Sequence, residues 1–213
     1  AKRTMALAQQ LYEGIDLNDE GAVGLITYMR TDSTNISDIA SKEVRDFIAT
    51  HYGKEFLPKQ PPQHKTRAVG AQEAHEAIRP TDVFRTPEKV KSHLKSEQYK
   101  LYLLIWQRFV ASQMEAALYD TVSVDIIGDL LNTRYLFRAS GSSVSFPGFL
   151  IVYEESIDED KKDIEANIKI PARIQEGSAL ILLQYIPEQH FTQPPPRFSE
   201  ASLVQTLAEF GIG

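Results

Sequence analysis

The densest chemistry in the sequence is a tyrosine with an arginine two residues on: Gly24-Leu25-Ile26-Thr27-Tyr28-Met29-Arg30-Thr31-Asp32-Ser33-Thr34-Asn35. If this run is extended, side chains alternate faces, so Tyr28 and Arg30 share one side and Thr27 and Met29 the other. A phenol beside a guanidinium suits a nucleophile that attacks a phosphate. The tyrosine supplies the oxygen, and the arginine holds and neutralises the non-bridging oxygens. On residue chemistry alone, a packed tyrosine with a satisfied hydroxyl is the more frequent occurrence. Arg30 with Asp32 reads equally as a surface pair that contributes little.

A second polar cluster, Gln72-Glu73-Ala74-His75-Glu76-Ala77-Ile78-Arg79-Pro80-Thr81, has little to bury except Ala74, Ala77 and Ile78. It is not a zinc helix of the His-Glu-x-x-His kind, because the fifth position is Arg79. The acidic stretch from Asp158 is not a calcium loop: the sixth position is Asp163 rather than glycine, and the twelfth is Lys169 rather than an acid. There is no glycine-rich phosphate loop, and no convincing pair of catalytic carboxylates.

Hydrophobic periodicity predicts the elements that must position these residues. Residues 2–13 form a helix with Met5, Ala8, Leu11 and Tyr12 on one face and Gly14 as its stop. An acidic loop over 16–21 leads to the apolar run from Val23, and Thr31 to Asn35 end regular structure by competing for backbone hydrogen bonds. Ser37 caps a helix to about Tyr52, with Ala40, Val44, Phe47 and Ile48 inward and Gly53 closing it. Residues 59–67 have two prolines and no apolar face, which makes a solvated loop. Pro80 pushes Arg79 towards an extended geometry. Thr86-Pro87-Glu88 starts a short helix. The longest helix runs from about Glu97 to Ala117, with Leu101, Leu104, Ile105, Phe109 and Ala116 at helical spacing and Trp106 and Val110 widening the stripe.

After Tyr119 the period changes to two, which predicts strands over 121–127, 134–138, 148–153 and 179–186. A proline-marked linker over 187–196 feeds a helix capped at Ser199 with Leu203, Val204 and Leu207 on its buried side. A lone helix after a linker is expected to dock on a further domain. The fold class is therefore α+β and multidomain. Its parts are a helical domain over 1–118, a β-rich segment over 119–187, and a linker with the first helix of another helical domain over 188–213.

The 213 residues, 42% hydrophobic and 24% charged, have the composition of an ordinary globular protein. With 0 cysteines, disulfides, cysteine-bound zinc and thiol catalysis are excluded within these residues, which fits a reducing compartment without requiring one. No apolar run approaches the length of a membrane span, and the first residues carry no secretory apolar segment. The net charge of -6 counts against a nucleic-acid partner, but the excess is local. Residues 154–165 hold much of it. Lys54, Lys59, Lys65, Arg67, Arg79, Arg85 and Lys89, with His64 and His75, leave the middle of the chain mildly basic.

Three stretches in order resemble signatures of the type IA DNA topoisomerases. Gly24 to Ser33 resembles the active-site signature, Gln72 to Thr81 the second, and His190 to Leu203 a third. Met29 after the tyrosine, and Glu76-Ala77-Ile78-Arg79 after the histidine, resemble the bacterial topoisomerase I branch rather than the topoisomerase III branch.

The resemblance implies that Tyr28 attacks a backbone phosphodiester of single-stranded DNA. A 5′-phosphotyrosine and a free 3′-hydroxyl result, through which strand passage relaxes negative supercoils. Arg30 stabilises the transition state, His75 helps organise the DNA and the active site, Arg79 is a further motif residue, and Asp32 and Ser33 shape the turn that presents Tyr28. It implies magnesium held by an acidic toprim domain outside these residues, no metal ligands within them, no ATP, and a cytoplasmic, nucleoid-associated enzyme with no membrane partner. Its partners are the single-stranded segment of supercoiled DNA and the remaining domains of the same polypeptide. The chain reads as a central fragment, expected not to relax DNA alone. A non-catalytic module of the same fold that binds single-stranded DNA or acts as a scaffold is the alternative.

Overall fold

A computed structural model describes residues 2–31, 33–62, 64, 75–130, 132–154, 170, 174–192, 194–195 and 197–212. Its contacts divide the chain into two units, one of residues 1–117, 147–154 and 198–213, the other of residues 118–146 and 155–197.

In the first unit, α1 (Lys2–Glu13) is composed largely of strong helix formers and packs on α4 (Ser96–Ser112). Its buried face is narrower than the periodicity predicts. Ala8 and Leu11 are buried, whereas Met5 and Tyr12 are substantially exposed. Gly14, at φ +136, ends the helix, and its amide donates to Gln10 O at 3.2 Å. A two-residue antiparallel ladder follows, β1 (Ile15–Asp16) with β2 (Ala22–Val23).

The chain then folds back onto the end of α1, where the Leu25 amide donates to Leu11 O at 2.7 Å. Gly24 makes this approach possible, because a Cβ there would lie 2.6 Å from the backbone oxygen of Tyr12. That neighbour is main chain and cannot rotate away. Gly24→Ala is therefore expected to destabilise the protein by about 1–3 kcal/mol, as overpacking does elsewhere, and to lower the thermal unfolding midpoint. An unchanged midpoint would mean that the end of α1 yields freely.

α2 (Asp38–His51) forms as the sequence predicts. Ser37 Oγ accepts from Ala40 N, and Ala40, Val44, Phe47 and Ile48 are buried. The Phe47 ring meets Trp106 edge-on at 5.5 Å.

The short helix α3 (Pro87–Val90) starts at Thr86 as expected. α4 ends at Ser112, short of the predicted limit, and its buried stripe is rotated. Tyr102, Trp106, Phe109 and Val110 are buried, while Leu104 is exposed and Leu101 and Ile105 are only partly covered. The aromatic residues win because they have polar handles. Tyr102 Oη donates to Arg85 O at 2.7 Å and Trp106 Nε1 to Val83 O at 2.9 Å, which ties the segment after the second motif to the core. Burial, together with the nearby Asp82 carboxylate, pushes the Tyr102 phenol well above its ordinary value, so it stays a donor.

The second unit is built on one long hairpin, β3 (Leu118–Leu130) with β4 (Thr133–Phe146), in antiparallel register pairing Thr121 with Ser142, Ile126 with Phe137 and Leu130 with Thr133. Asn132 takes the left-handed turn conformation at φ 64, which asparagine tolerates. Arg138 pairs with Asp125 at 2.7 Å and Arg134 with Asp129 at 3.2 Å, both across the ladder and exposed. Two predicted strands are absent from the ladders. Residues 148–153 instead begin with a single helical turn at Gly148–Ile151, because Pro147 has no amide to donate and Gly148 adopts φ +49. Residues 179–186 are a mostly apolar run of strand length but pair with no ladder among the described residues, and a strand without a partner is not stable by itself.

α5 (Glu200–Glu209) begins where Ser199 Oγ accepts from Ser202 N at 3.1 Å. Leu203 and Val204, expected inward, are exposed. The fold is thus a mixture of helices and antiparallel hairpins, as expected, and among the described residues no helix is long and apolar enough to cross a membrane.

Candidate active site

The first motif is not a ladder strand along its length. It makes one antiparallel bridge, Ile26 with Pro80, and the Arg30 amide donates to Tyr28 O at 2.9 Å, closing a three-residue turn around Met29. Exposure alternates only from Tyr28 to Arg30, because Leu25 and Ile26 are adjacent and both buried. Met29 is 8% exposed, and Tyr28, at 56%, and Arg30 are exposed on either side of it. Anchoring Met29 in the core leaves the phenol and the guanidinium accessible.

The second motif lies against the first, from its backbone outward. Thr27 N donates to Arg79 O at 2.9 Å, Thr81 N to Leu25 O at 3.0 Å, and Thr81 Oγ1 to Gly24 O at 2.7 Å. Ala77 N donates to Asn35 O at 2.7 Å, so the same segment also holds the stretch beyond the turn. Thr27 joins the two motifs through its side chain. Its hydroxyl donates to Ala77 O at 2.7 Å and accepts from Arg79 N at 2.9 Å. Ser33 Oγ donates to His75 O and accepts from Asn35 N at 3.1 Å.

These links bring His75 to the tyrosine's arginine, with Arg30 Nη1 3.4 Å from His75 Nε2. Because a guanidinium only donates, Nε2 accepts in this contact.

Arg79 is oriented differently. Its guanidinium donates to Pro80 O at 2.9 Å and to both carboxylate oxygens of Glu76, and its side chain is only 12% exposed. Glu76 Oε1 also accepts from Ser37 N at 2.9 Å, which links the second motif to the start of α2. Partial burial opposes the charge on Glu76, but the Ser37 amide and hydroxyl and the Arg79 guanidinium outweigh it, and the carboxyl titrates below its ordinary range.

Of the residues the sequence singles out, the structure brings His75 to Arg30 and ties Ser33 to the backbone of His75, while Tyr28 stands two residues before Arg30, across the turn at Met29. Arg79 joins the Glu76 network, and Asp32 lies outside the described residues. Thr27 and Glu76 were not anticipated. The spacing of Glu76 and Arg79 was legible as a close pair, whereas nothing in the sequence marks Thr27 beyond its place beside the tyrosine. One further neighbour went unnoticed. The rings of Tyr12 and Tyr28 meet edge to face, with centroids 5.3 Å apart and planes at 65°. Among the described residues no group of three or more His, Cys, Asp or Glu could hold a metal ion.

Three comparisons with known proteins agree with a fold of packed helices and antiparallel hairpins. The profile of one family, DNA topoisomerase, matches residues 1–213. DNA topoisomerase 1 from each of two strains of Xylella fastidiosa is 49% identical over 213 residues, which are 100% of this chain and 26% of either relative. The full-length topoisomerase I of Thermotoga maritima superposes with a TM-score of 0.70 at 34% identity, over 100% of this chain and 32% of that one. The chain belongs to the type IA DNA topoisomerase family. The relatives named here place it in the bacterial topoisomerase I branch, and it spans 26% of the length of the curated ones.

Proposed function

We propose that this chain carries the strand-cleaving tyrosine of a bacterial DNA topoisomerase I. Tyr28 Oη attacks a backbone phosphorus of single-stranded DNA. The new bond is the phosphotyrosine ester to the 5′ end of one fragment. The bond broken is that from phosphorus to the 3′ oxygen of the other, which leaves as a hydroxyl with the proton the phenol gave up. The reverse attack by that hydroxyl reseals the strand, so the ester conserves the bond energy and no nucleotide is consumed.

A phenol is mostly protonated near neutral pH, and charge gathers on the phosphoryl oxygens as it attacks. Arg30 supplies a permanent cation two residues from the nucleophile, and His75 Nε2 accepts from that guanidinium at 3.4 Å. The observation that carries the proposal is an exposed Tyr28 and Arg30 with a half-buried His75 against the arginine, fixed through Thr27 and Ser33 to one backbone frame.

In the same reading, residues 1–118 form the tyrosine-bearing helical domain, 119–187 contribute to a β-rich arch, and 188–213 begin another helical domain. Magnesium is a requirement of the complete enzyme, held by residues other than those described. Single-stranded segments of negatively supercoiled DNA are the substrate.

The test uses the complete polypeptide containing these residues and a single-stranded oligonucleotide labelled at its 3′ end. After denaturation, label is expected to stay with the protein, and peptide mapping should place it on Tyr28. Binding without any covalent adduct would favour a non-catalytic module, and label on another residue would reassign the nucleophile.

A further inference from the structure

We propose that Tyr12 is a positioning residue that orients the Tyr28 phenol for attack. The inference rests on Tyr28 being the nucleophile. Tyr12 lies in the last turn of α1, and its ring meets that of Tyr28 in the T-shaped arrangement that aromatic quadrupoles favour.

Two backbone contacts fix this meeting. Leu25 N donates to Leu11 O, and Gly24 packs where any Cβ would strike Tyr12 O. Leu11 and Leu25, the residues beside these contacts, are both fully buried, so the end of α1 and the run leading to Tyr28 are held as one piece. Tyr12 itself is 41% exposed, more than a residue whose part is to fill the core.

An exposed tyrosine samples several staggered χ1 wells, and only some aim its oxygen at a phosphorus beside Arg30. A neighbouring ring edge biases that choice. Aromatic pairs of this kind shift populations by about 3- to 10-fold, and a reaction that needs one orientation slows by the same factor when the bias is lost.

The contact uses the ring of Tyr12 and not its hydroxyl. Tyr12→Phe is therefore the rescuing variant, while Tyr12→Leu and Tyr12→Met keep apolar bulk without a ring edge. Each is made in the complete polypeptide and assayed for single-turnover cleavage of a single-stranded oligonucleotide, for affinity to that oligonucleotide, and for thermal midpoint. The expected result is cleavage about 3- to 10-fold slower for the leucine or methionine variant, whichever folds, at wild-type affinity and midpoint, with the rate restored by phenylalanine. Leucine or methionine variants as fast as wild type would overturn the proposal. So would a slow phenylalanine variant. A loss of affinity matching the loss of rate would also overturn it, because Tyr12 would then be touching a DNA base. A drop in midpoint that accounts for the slow rate would reduce the residue to a structural one. Tyr28→Phe is run beside them. If it still forms the covalent adduct, the nucleophile assignment fails, whereas if it forms none and the Tyr12 variants are fast, only the positioning role fails.

Discussion

Tyr28→Phe is expected to abolish covalent attachment to single-stranded DNA in the complete polypeptide and to leave most of its DNA affinity. The substitution removes one oxygen from an exposed ring, so the fold loses almost nothing: the Tyr12 contact is a ring contact, and Met29 beside it keeps its buried place. The proposed chemistry, however, has no substitute for that oxygen. Deleting a nucleophile that acts with its supporting groups as a unit lowers turnover on the order of 10⁴- to 10⁶-fold, far beyond what the loss of an orienting contact does. Arg30, held by His75, would remain to bind phosphate, which is why affinity and cleavage should separate. The measurement is adduct yield after a denaturing quench, beside an equilibrium binding curve with the same oligonucleotide. Wild-type adduct yield in the phenylalanine variant would remove Tyr28 from the mechanism, whatever the family. A collapse of both binding and cleavage would instead point to a fold that depends on the hydroxyl.

Helices whose periodicity was unambiguous could be read directly, and so could their caps. α2 runs from its Ser37 cap to the residue before Tyr52 with the predicted inner face, because one stripe of small and apolar residues has only one way to be buried. Helix rotation was less legible where aromatics compete with leucines. Tyr102 and Trp106 displaced Leu104 from the core because their hydroxyl and indole N–H reach carbonyls at Arg85 and Val83, and an apolar pattern does not encode that pairing. The apolar run over 179–186 suits a strand, but pairing is a property of the partner, and no described residue supplies one. The same distinction holds at the site. Tyr28 and Arg30 could be found as neighbours in sequence, and the signature around His75 could be found by resemblance. Thr27, 52 positions from Arg79, could not, because its role exists only once two distant backbones lie side by side. Nor could Tyr12, whose ring reaches Tyr28 only because Gly24 lets the chain double back on α1.

Glu76→Ala tests whether the frame around His75 depends on charge. The Glu76 carboxylate accepts from Ser37 N at 2.9 Å and meets Arg79 Nη2 at 2.9 Å, with Arg79 12% exposed and Glu76 33%. Removing it leaves a nearly buried guanidinium without its anion and an amide at the start of α2 without its acceptor. Breaking a fully buried pair costs about 3–5 kcal/mol, and since this one is partly open to water, about 2–3 kcal/mol is expected. For a chain of this size that lowers the thermal midpoint by about 5–10 °C. The exposed Arg138–Asp125 pair on the hairpin is screened by solvent, and breaking it should change stability far less. Acid supplies the second half of the test. The folded carboxyl titrates below its ordinary value of 4.5, so the stability it contributes is fully present above that pH and is lost as pH falls through the lower folded value. The gap between wild type and Glu76→Ala should therefore stay constant near neutrality and narrow below about pH 4.5. A gap that persists undiminished in acid would mean that Glu76 acts through packing. A gap that narrows as expected, with slower cleavage at neutral pH, would tie the alignment of His75 and Arg30 to a single ion pair that lies outside the chemistry itself.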